Sequence, residues 1–437
     1  MDVSSFTIEM KVEIMSKETI RPSTPTPHHL RTFNLSFLDQ MAPPFSVPII
    51  LFYPVNENDR QTNIKECSHD LRRSLSKTLT SYYPLAGRIK DDVIECDGGG
   101  VSYSEAQVHN VNGGMYKLIQ DSDVNVLKQF VPSDPYVYDS KFGQGTSSAA
   151  LLSIRINVLE QEEDCCGGIV IGIRMSHKIG DASSLTTFIN DWAATARGVP
   201  SDQIKGPRFD ILPFLIPPRD LMGYILGRGI TGEEIQTKNF LFDGSKIAEL
   251  KKAYIMTGNN QYPNRVEAVS AFIWRCFINL RQTKKDGYSN GSSSARMYGV
   301  THAVNMRTRM VPPLPSNTFG NMYISTVTLP VDVEAEGTEN HQNPNLVREV
   351  REAIRKVDSI YVKITMLGFT SWYRFPIYEA DFGWGKPLRV TPSVFPYKNV
   401  VVLMDTKSGD GIEAWVSMTK DDMAEFECDD ELLHFVT

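Results

Sequence analysis

Long apolar runs, C-x-x-C pairs, an excess of basic charge and short fixed-period repeats are all missing from this 437-residue chain. Each absence removes a class of protein. No stretch approaches the ~20 apolar residues of a membrane span, so no membrane partner is expected. The N-terminal MDVSSFTIEMKVEIMSKETI is polar throughout and lacks the apolar core of a secretion signal. The net charge of −7 argues against nucleic acid, because phosphate backbones require a basic surface. A local basic pocket for a phosphorylated ligand stays open. The six cysteines, Cys67, Cys96, Cys165, Cys166, Cys276 and Cys428, have no metal-type spacing, and the adjacent Cys165 and Cys166 suit no ordinary structural disulfide. They read as reduced thiols of a cytoplasmic protein, with reactive-thiol catalysis as the lesser alternative.

What is present is an ordinary globular composition, 41% hydrophobic and 22% charged. The length exceeds the roughly 250–300 residues at which single cores stop growing, so two domains are expected. Prolines and glycines crowd residues 199–235, which reads as a crossover between an N-terminal domain (1–198) and a C-terminal domain (236–437). Strands are expected at 12–20, 48–53, 149–159, 169–175, 238–242, 298–306, 399–405 and 412–416. Ser408-Gly409-Asp410-Gly411 signals a hairpin between the last two. The segment 95–100 reads as a turn between two short strands. Leu71, Leu75, Leu79 and Tyr82 mark the inner face of a helix ended by Pro84 and Gly87. Further helices are expected at 245–254, at 266–280, over Leu346, Val350, Ile354 and Val357, and at the C-terminus near Val436. The fold class is therefore α/β, with mixed β-sheets covered by helices in both halves.

One stretch concentrates the chemistry. Residues 169–175 form a β-branched apolar run, and Leu185, Phe188, Ile189, Trp192, Ala193 and Ala196 follow at helical spacing. The turn between them carries His177 and Asp181. A histidine where a core strand breaks into a loop sits on rigid scaffold with its ring free to meet a ligand. Position alone leaves His177 either catalytic or a merely hydrogen-bonded residue, and Asp181 either a partner or a plain helix cap. Two metal-type ligands with no third do not make a metal site.

Near the C-terminus stands Asp381-Phe382-Gly383-Trp384-Gly385. His-x-x-x-Asp followed at distance by DFGWG resembles the BAHD family of plant acyl-CoA-dependent acyltransferases. The likeness extends to Leu38-Asp39-Gln40, to Tyr82-Tyr83-Pro84-Leu85-Ala86-Gly87-Arg88, to Asn305-Met306-Arg307-Thr308-Arg309 and to Phe319-Gly320-Asn321. The phrases SHKIGDA and YEADFGWGKP look closest to its alkaloid acetyltransferase branch. The resemblance implies a chloramphenicol-acetyltransferase-like pair of similar-sized domains facing each other across a channel, and a monomer. It also implies an enzyme that moves an acyl group from acyl-CoA, acetyl-CoA first, to a hydroxyl of an alkaloid or terpenoid alcohol. Transfer to an amine and a non-catalytic relative are the alternatives. Acyl-CoA is a co-substrate, and no permanently bound cofactor or metal is expected.

For such a transfer the acceptor hydroxyl must lose its proton as it attacks, and an imidazole with an ordinary pKa near 6.5 suits the task. His177 is the expected base, acting in a ternary complex without an acyl-enzyme. Ser176 and Ala182 stand where many relatives have a second histidine and a glycine, which leaves one candidate base. The resemblance implies that Asp181 pairs with Arg307 to hold the turn. It also places Thr370, Trp372 and Asn321 at the acceptor pocket, with Trp372, or alternatively Asn321, donating to the oxyanion. Asp381 is expected either as a second catalytic residue or as a structural one that fixes its loop. The resemblance places Lys238 and Arg265 where CoA phosphates would bind; the alternative is that both are solvated surface charges. Thr318-Phe319-Gly320-Asn321 lacks a tyrosine found in malonyl-transferring relatives, which favours a small neutral acyl group.

Overall fold

The computed structural model describes residues 10–54, 64–90, 93–111, 113–120, 123–133, 149–159, 167–221, 233–254, 262–283, 298–328 and 365–436. The expected helix over Leu346–Val357, the acidic stretch 160–164, Cys165, Cys166 and most of 222–235 lie outside them. The chain divides into two compact units, neither of them contiguous in sequence. Unit 1 holds Met1–Arg228, Arg307–Met322 and Phe375–Val394; unit 2 holds Gly229–Met306, Tyr323–Arg374 and Phe395–Thr437. Two segments from the C-terminal half thus belong with the N-terminal one. DFGWG is in the second of these, so it sits in unit 1 and not, as a single cut along the chain places it, in the C-terminal domain.

In chain order, unit 1 contributes β1 (Lys11–Ile20), β2 (Thr32–Asn34), β3 (Ser46–Pro54), β4 (Arg88–Lys90), β5 (Val93–Glu95), β6 (Val101–His109), β7 (Leu152–Leu159) and β8 (Gly168–Ser176). Unit 2 follows with β9 (Ile235–Phe242), β10 (Tyr298–Asn305), β11 (Tyr323–Thr328) and β12 (Thr365–Ser371). The chain returns to unit 1 for β13 (Arg389–Pro392), and unit 2 closes with β14 (Val400–Asp405) and β15 (Ile412–Thr419).

The main sheet of unit 1 runs β1-β6-β7-β8-β3-β13 and is antiparallel except between β6 and β7. β8 is buried along nearly its whole length, which is why it reads as a continuous apolar run rather than an alternation. Gly172 at its middle is required by packing: a Cβ there would lie 2.0 Å from the Phe130 carbonyl oxygen. The helices Ile64–Ser81 and Ala182–Ala196 pack together on this sheet through the faces their spacing marks. Leu71, Leu75, Leu79, Tyr82, Leu185, Phe188, Ile189 and Trp192 are all buried. The Trp192 indole N–H donates to Ser74 Oγ (3.1 Å) and Leu71 O (3.3 Å), so the largest side chain at the seam carries no unsatisfied donor.

Glu95–Gly100 joins two strands as expected, but only the first of them is short. β5 pairs with β2 and β4 in a small separate sheet, and the turn leads from it into the nine-residue β6. Local turn chemistry was legible; the partner strands were not.

Unit 2 is built on the sheet β11-β10-β12-β14-β15-β9, parallel at β10–β12 and β12–β14 and antiparallel elsewhere. The helix Arg265–Thr283 lies on it, with Val300, Leu367, Val401, Leu403, Ala414 and Val416 in the same core. The helices Gly244–Ala253, Lys420–Phe426 and Asp430–Phe435 contact it as well. Covered from several sides, it is apolar around most of its circumference, as its sequence indicates. The β14–β15 hairpin closes at Asp405↔Ile412, and Gly409 takes φ 74° in its turn. No helix among the described residues is long and apolar enough to cross a membrane.

Candidate active site

His177 follows the last residue of β8. Its N–H donates to Phe45 O (2.8 Å), continuing the β3–β8 register by one position. The half-buried imidazole stands edge-on to the Phe45 ring, 5.2 Å between centroids at 67°. Crowding by protein lowers its pKa, aided by the Lys178 ammonium and opposed by hydrogen bonds and the Asp181 charge. The net effect favours the neutral ring, the form that can accept a proton.

Four residues further on, Asp181 caps the helix Ala182–Ala196 by accepting from the Ser184 N–H (3.0 Å). The same carboxylate receives a fork from Arg307, Nη1 to Oδ2 at 2.8 Å and Nη2 to Oδ1 at 3.1 Å, and the Met322 N–H at 3.0 Å. Asp181 and Arg307 are 8% and 2% exposed. Burial alone would raise the Asp181 pKa, but the Arg307 charge and the hydrogen bonds hold it below the ordinary carboxylate value. Arg307 also donates to Thr318 O (3.0 Å), Gly320 O (2.8 Å) and Ser184 Oγ (3.2 Å). The carboxylate is thus a cap and an ion-pair partner at once, and the two alternatives open at the level of sequence are both realised.

Asn321 lies in this cluster, fully buried. Its Nδ2 donates to Asp39 Oδ1 (2.8 Å) and to the His177 carbonyl (2.7 Å), and its main-chain N–H also reaches Asp39 Oδ1 (2.8 Å). Both amide hydrogens are committed inside the protein, which leaves none for an oxyanion. In the sequence Asp39 stands out only as part of Leu38-Asp39-Gln40, which assigns it no role. Ser184 has no sequence signal, and Thr318 and Gly320 stand in a segment that marks the resemblance without a role for their carbonyls.

The remaining candidates belong to other segments of the chain. The Asp381 side chain turns back on its own loop: Oδ1 accepts from the N–H groups of Gly383 (2.8 Å) and Gly385 (3.0 Å), both at positive φ, and Arg197 Nη1 donates to the Asp381 carbonyl. Phe382 packs edge-on to Trp192 at 4.8 Å, and the Tyr53 hydroxyl donates to Ala380 O (2.7 Å), so the loop is fastened to the core of unit 1. Thr370 and Trp372 are in unit 2, at the end of β12 and just after it; Trp372 is buried and its N–H donates to Leu403 O (2.8 Å). Lys238 on β9 is ion-paired with Glu427. Arg265 opens the long helix of unit 2 and donates to Gly409 O (2.6 Å). A cavity of about 420 Å³ runs beside the helix Ala182–Ala196, lined by Thr187, Asn190, Arg197, Asn317 and Phe375 among others; none of the candidate site residues lines it.

The chain is similar to known proteins along nearly its whole length. Stemmadenine O-acetyltransferase of Catharanthus roseus is 36% identical over 437 residues, 96% of this chain and 97% of its own. Vinorine synthase of Rauvolfia serpentina is 36% identical, over 95% of this chain and 96% of its own. The crystal structure of vinorine synthase superposes with a TM-score of 0.79 over 98% of both chains, at 34% identity. F. sporotrichioides TRI101, solved with coenzyme A and T-2, shares the fold at a TM-score of 0.67 and 17% identity, over 93% of this chain and 99% of its own. The profile of the Transferase family matches residues 10–433. This chain belongs to that family, the BAHD acyltransferases, and is an acyltransferase.

Proposed function

We propose that the protein transfers an acetyl group from acetyl-CoA to a hydroxyl of an alkaloid or terpenoid alcohol, with both substrates bound together and His177 as general base. The observation that carries this reading is the His177 corner: a half-buried ring at the end of a core strand, biased toward its neutral form, beside a carboxylate already engaged by Arg307. Two relatives support the reading: stemmadenine O-acetyltransferase is named for acetyl transfer to an oxygen acceptor, and vinorine synthase resembles the chain over nearly its whole length.

In the proposed step the acceptor oxygen attacks the thioester carbonyl carbon while its proton passes to His177. Nδ1 is buried, so Nε2 is the assigned proton acceptor. The tetrahedral intermediate collapses with cleavage of the C–S bond, and the CoA thiolate recovers the proton from the imidazolium. Base catalysis of this kind contributes about 10²–10⁴ in rate. Asp181 does not exchange protons with the ring in this scheme, because Arg307 keeps it ionised; the pair holds the turn. Trp372 is the proposed oxyanion donor, and Thr370 borders the acceptor. Asp381 is assigned to its loop rather than to substrate. Lys238 and Arg265 are the proposed CoA-phosphate contacts, and Lys238 would exchange Glu427 for phosphate.

Thiol release from acetyl-CoA, screened against a panel of plant alcohols, tests the proposal. Turnover should depend on a hydroxyl acceptor and fall at least about 100-fold in His177→Ala. Full turnover in that variant would move the base elsewhere.

A further inference from the structure

The geometry points to Asp39 as a positioning residue for the transfer reaction: through Asn321 it fixes the main-chain carbonyl of His177 and with it the direction of the imidazole. This rests on His177 being the base. On the N-terminal side of the His177 Cα, the peptide group is held by the sheet, its N–H on Phe45 O. On the C-terminal side, where β8 has ended, stands the His177 carbonyl. Asn321 Nδ2 donates to it at 2.7 Å, from a residue 144 positions away in sequence.

An asparagine amide can present either its oxygen or its nitrogen, and something must choose. Asp39 chooses. An ionised carboxylate only accepts, so Oδ1, which takes both the Asn321 N–H and Nδ2, obliges Asn321 to turn N–H groups toward Asp39 and His177. Asp39 is itself held by Ser36, whose N–H (3.0 Å) and Oγ (2.6 Å) donate to Oδ2. The adjacent Gln40 completes the hub: its carbonyl accepts from Lys178 Nζ (2.7 Å), and its side chain exchanges two hydrogen bonds with the Arg219 main chain. The short helix Phe37–Met41 therefore grips His177 and Lys178 together, which gives the Leu38-Asp39-Gln40 segment a purpose.

Stability alone does not call for this arrangement. Asp39 is 1% exposed and, among the described residues, forms no ion pair. Burial pushes its pKa up to about 6 against the hydrogen bonds from Ser36 and Asn321. An isosteric neutral side chain would relieve that burden while losing the enforced amide orientation. The two effects separate cleanly in experiment.

Asp39→Asn, Asn321→Ser and His177→Ala are compared by thiol release from acetyl-CoA, with the alcohol found in the acceptor screen and with water as acceptor, alongside thermal melting. Asp39→Asn should lower kcat about 10–100-fold, the scale of a small misplacement of a catalytic group, with KM for acetyl-CoA and the melting midpoint nearly unchanged. Asn321→Ser, which keeps the main-chain bond to Asp39 but cannot reach both partners, should lower kcat at least as far. Folded Asp39→Asn and Asn321→Ser proteins with wild-type kcat, next to an inactive His177→Ala, would overturn the positioning role and leave the base intact. An active His177→Ala would instead remove the base reading on which it rests. A kcat loss that merely follows a fall in the melting midpoint would also overturn it.

Discussion

Arg307→Met takes the cation away from a carboxylate that is itself buried, and the contacts set the scale. The guanidinium donates to both oxygens of Asp181 and to the carbonyls of Thr318 and Gly320. Methionine replaces much of its volume and none of those bonds. Breaking a buried pair by removing one member typically costs about 3–5 kcal/mol, because the other charge is left unpaired. At roughly 2–4 °C per kcal/mol, melting of unit 1 should drop by roughly 6–20 °C. Asp181→Asn together with Arg307→Met should recover part of this: asparagine still caps a helix, and no ion stays buried. Acidity supplies the second test. In the native protein the folded Asp181 pKa is lowered, so its contribution is complete above the ordinary carboxylate value of 3.8 and is lost as pH falls through the folded value. In Arg307→Met burial is opposed only by the hydrogen bonds from the Ser184 and Met322 N–H groups, the pKa rises, and moving from pH 7 to pH 5 should shrink the deficit. Calorimetry of the native protein and the two variants at both pH values decides. A double variant no more stable than Arg307→Met, or a deficit equal at the two pH values, would refute the pairing as the energetic anchor of the turn.

Three further outcomes are expected. His302, stacked on Phe369 at 4.9 Å and 4% exposed, has its pKa lowered by burial to about 4. Between about 6.5 and 4 only the unfolded chain binds this proton, so acidification through that window costs unit 2 about 3 kcal/mol, and His302→Leu should flatten the fall in melting temperature; an unchanged slope sinks the assignment. Asp381→Asn keeps Oδ1 as acceptor for Gly383 and Gly385 and should leave turnover near wild type, whereas a catalytic carboxylate would lose about 10²–10⁴. Gly172→Ala drives a methyl group against the Phe130 carbonyl and should destabilise unit 1 by at least ~2 kcal/mol in denaturant titration; wild-type stability would show that the strand can yield.

How much of this was legible in the sequence depended on distance along the chain. The corner from β8 into the helix Ala182–Ala196 is local: an apolar run, a capping carboxylate and a helical stripe are adjacent, and each element formed where its pattern stands. The β14–β15 hairpin is local too. The partner strands of 95–100 were hidden because β2 and β5 lie some sixty positions apart. The Arg307–Asp181 pair spans 126 positions and was reached through resemblance, since nothing near either residue announces the other. Asp39 and Asn321 are 282 positions apart, and neither has a side chain that names its partner. The same holds for DFGWG. Its glycines indicated a sharply turned loop, but its place against Trp192 is set by side-chain packing that leaves no periodic trace.

The interleaving of the two units has a consequence during synthesis. A ribosome that has emitted the chain through Arg228 has released β8 and His177 but not Arg307, Asn321 or β13. The corner must therefore wait, with the Asp181 carboxylate unneutralised and one flank of β3 uncovered, while β9 and β10 emerge. Maturation of the N-terminal half is in this way subordinate to translation of the C-terminal half, and a fragment ending at Arg228 should need chaperone protection rather than fold as an independent product.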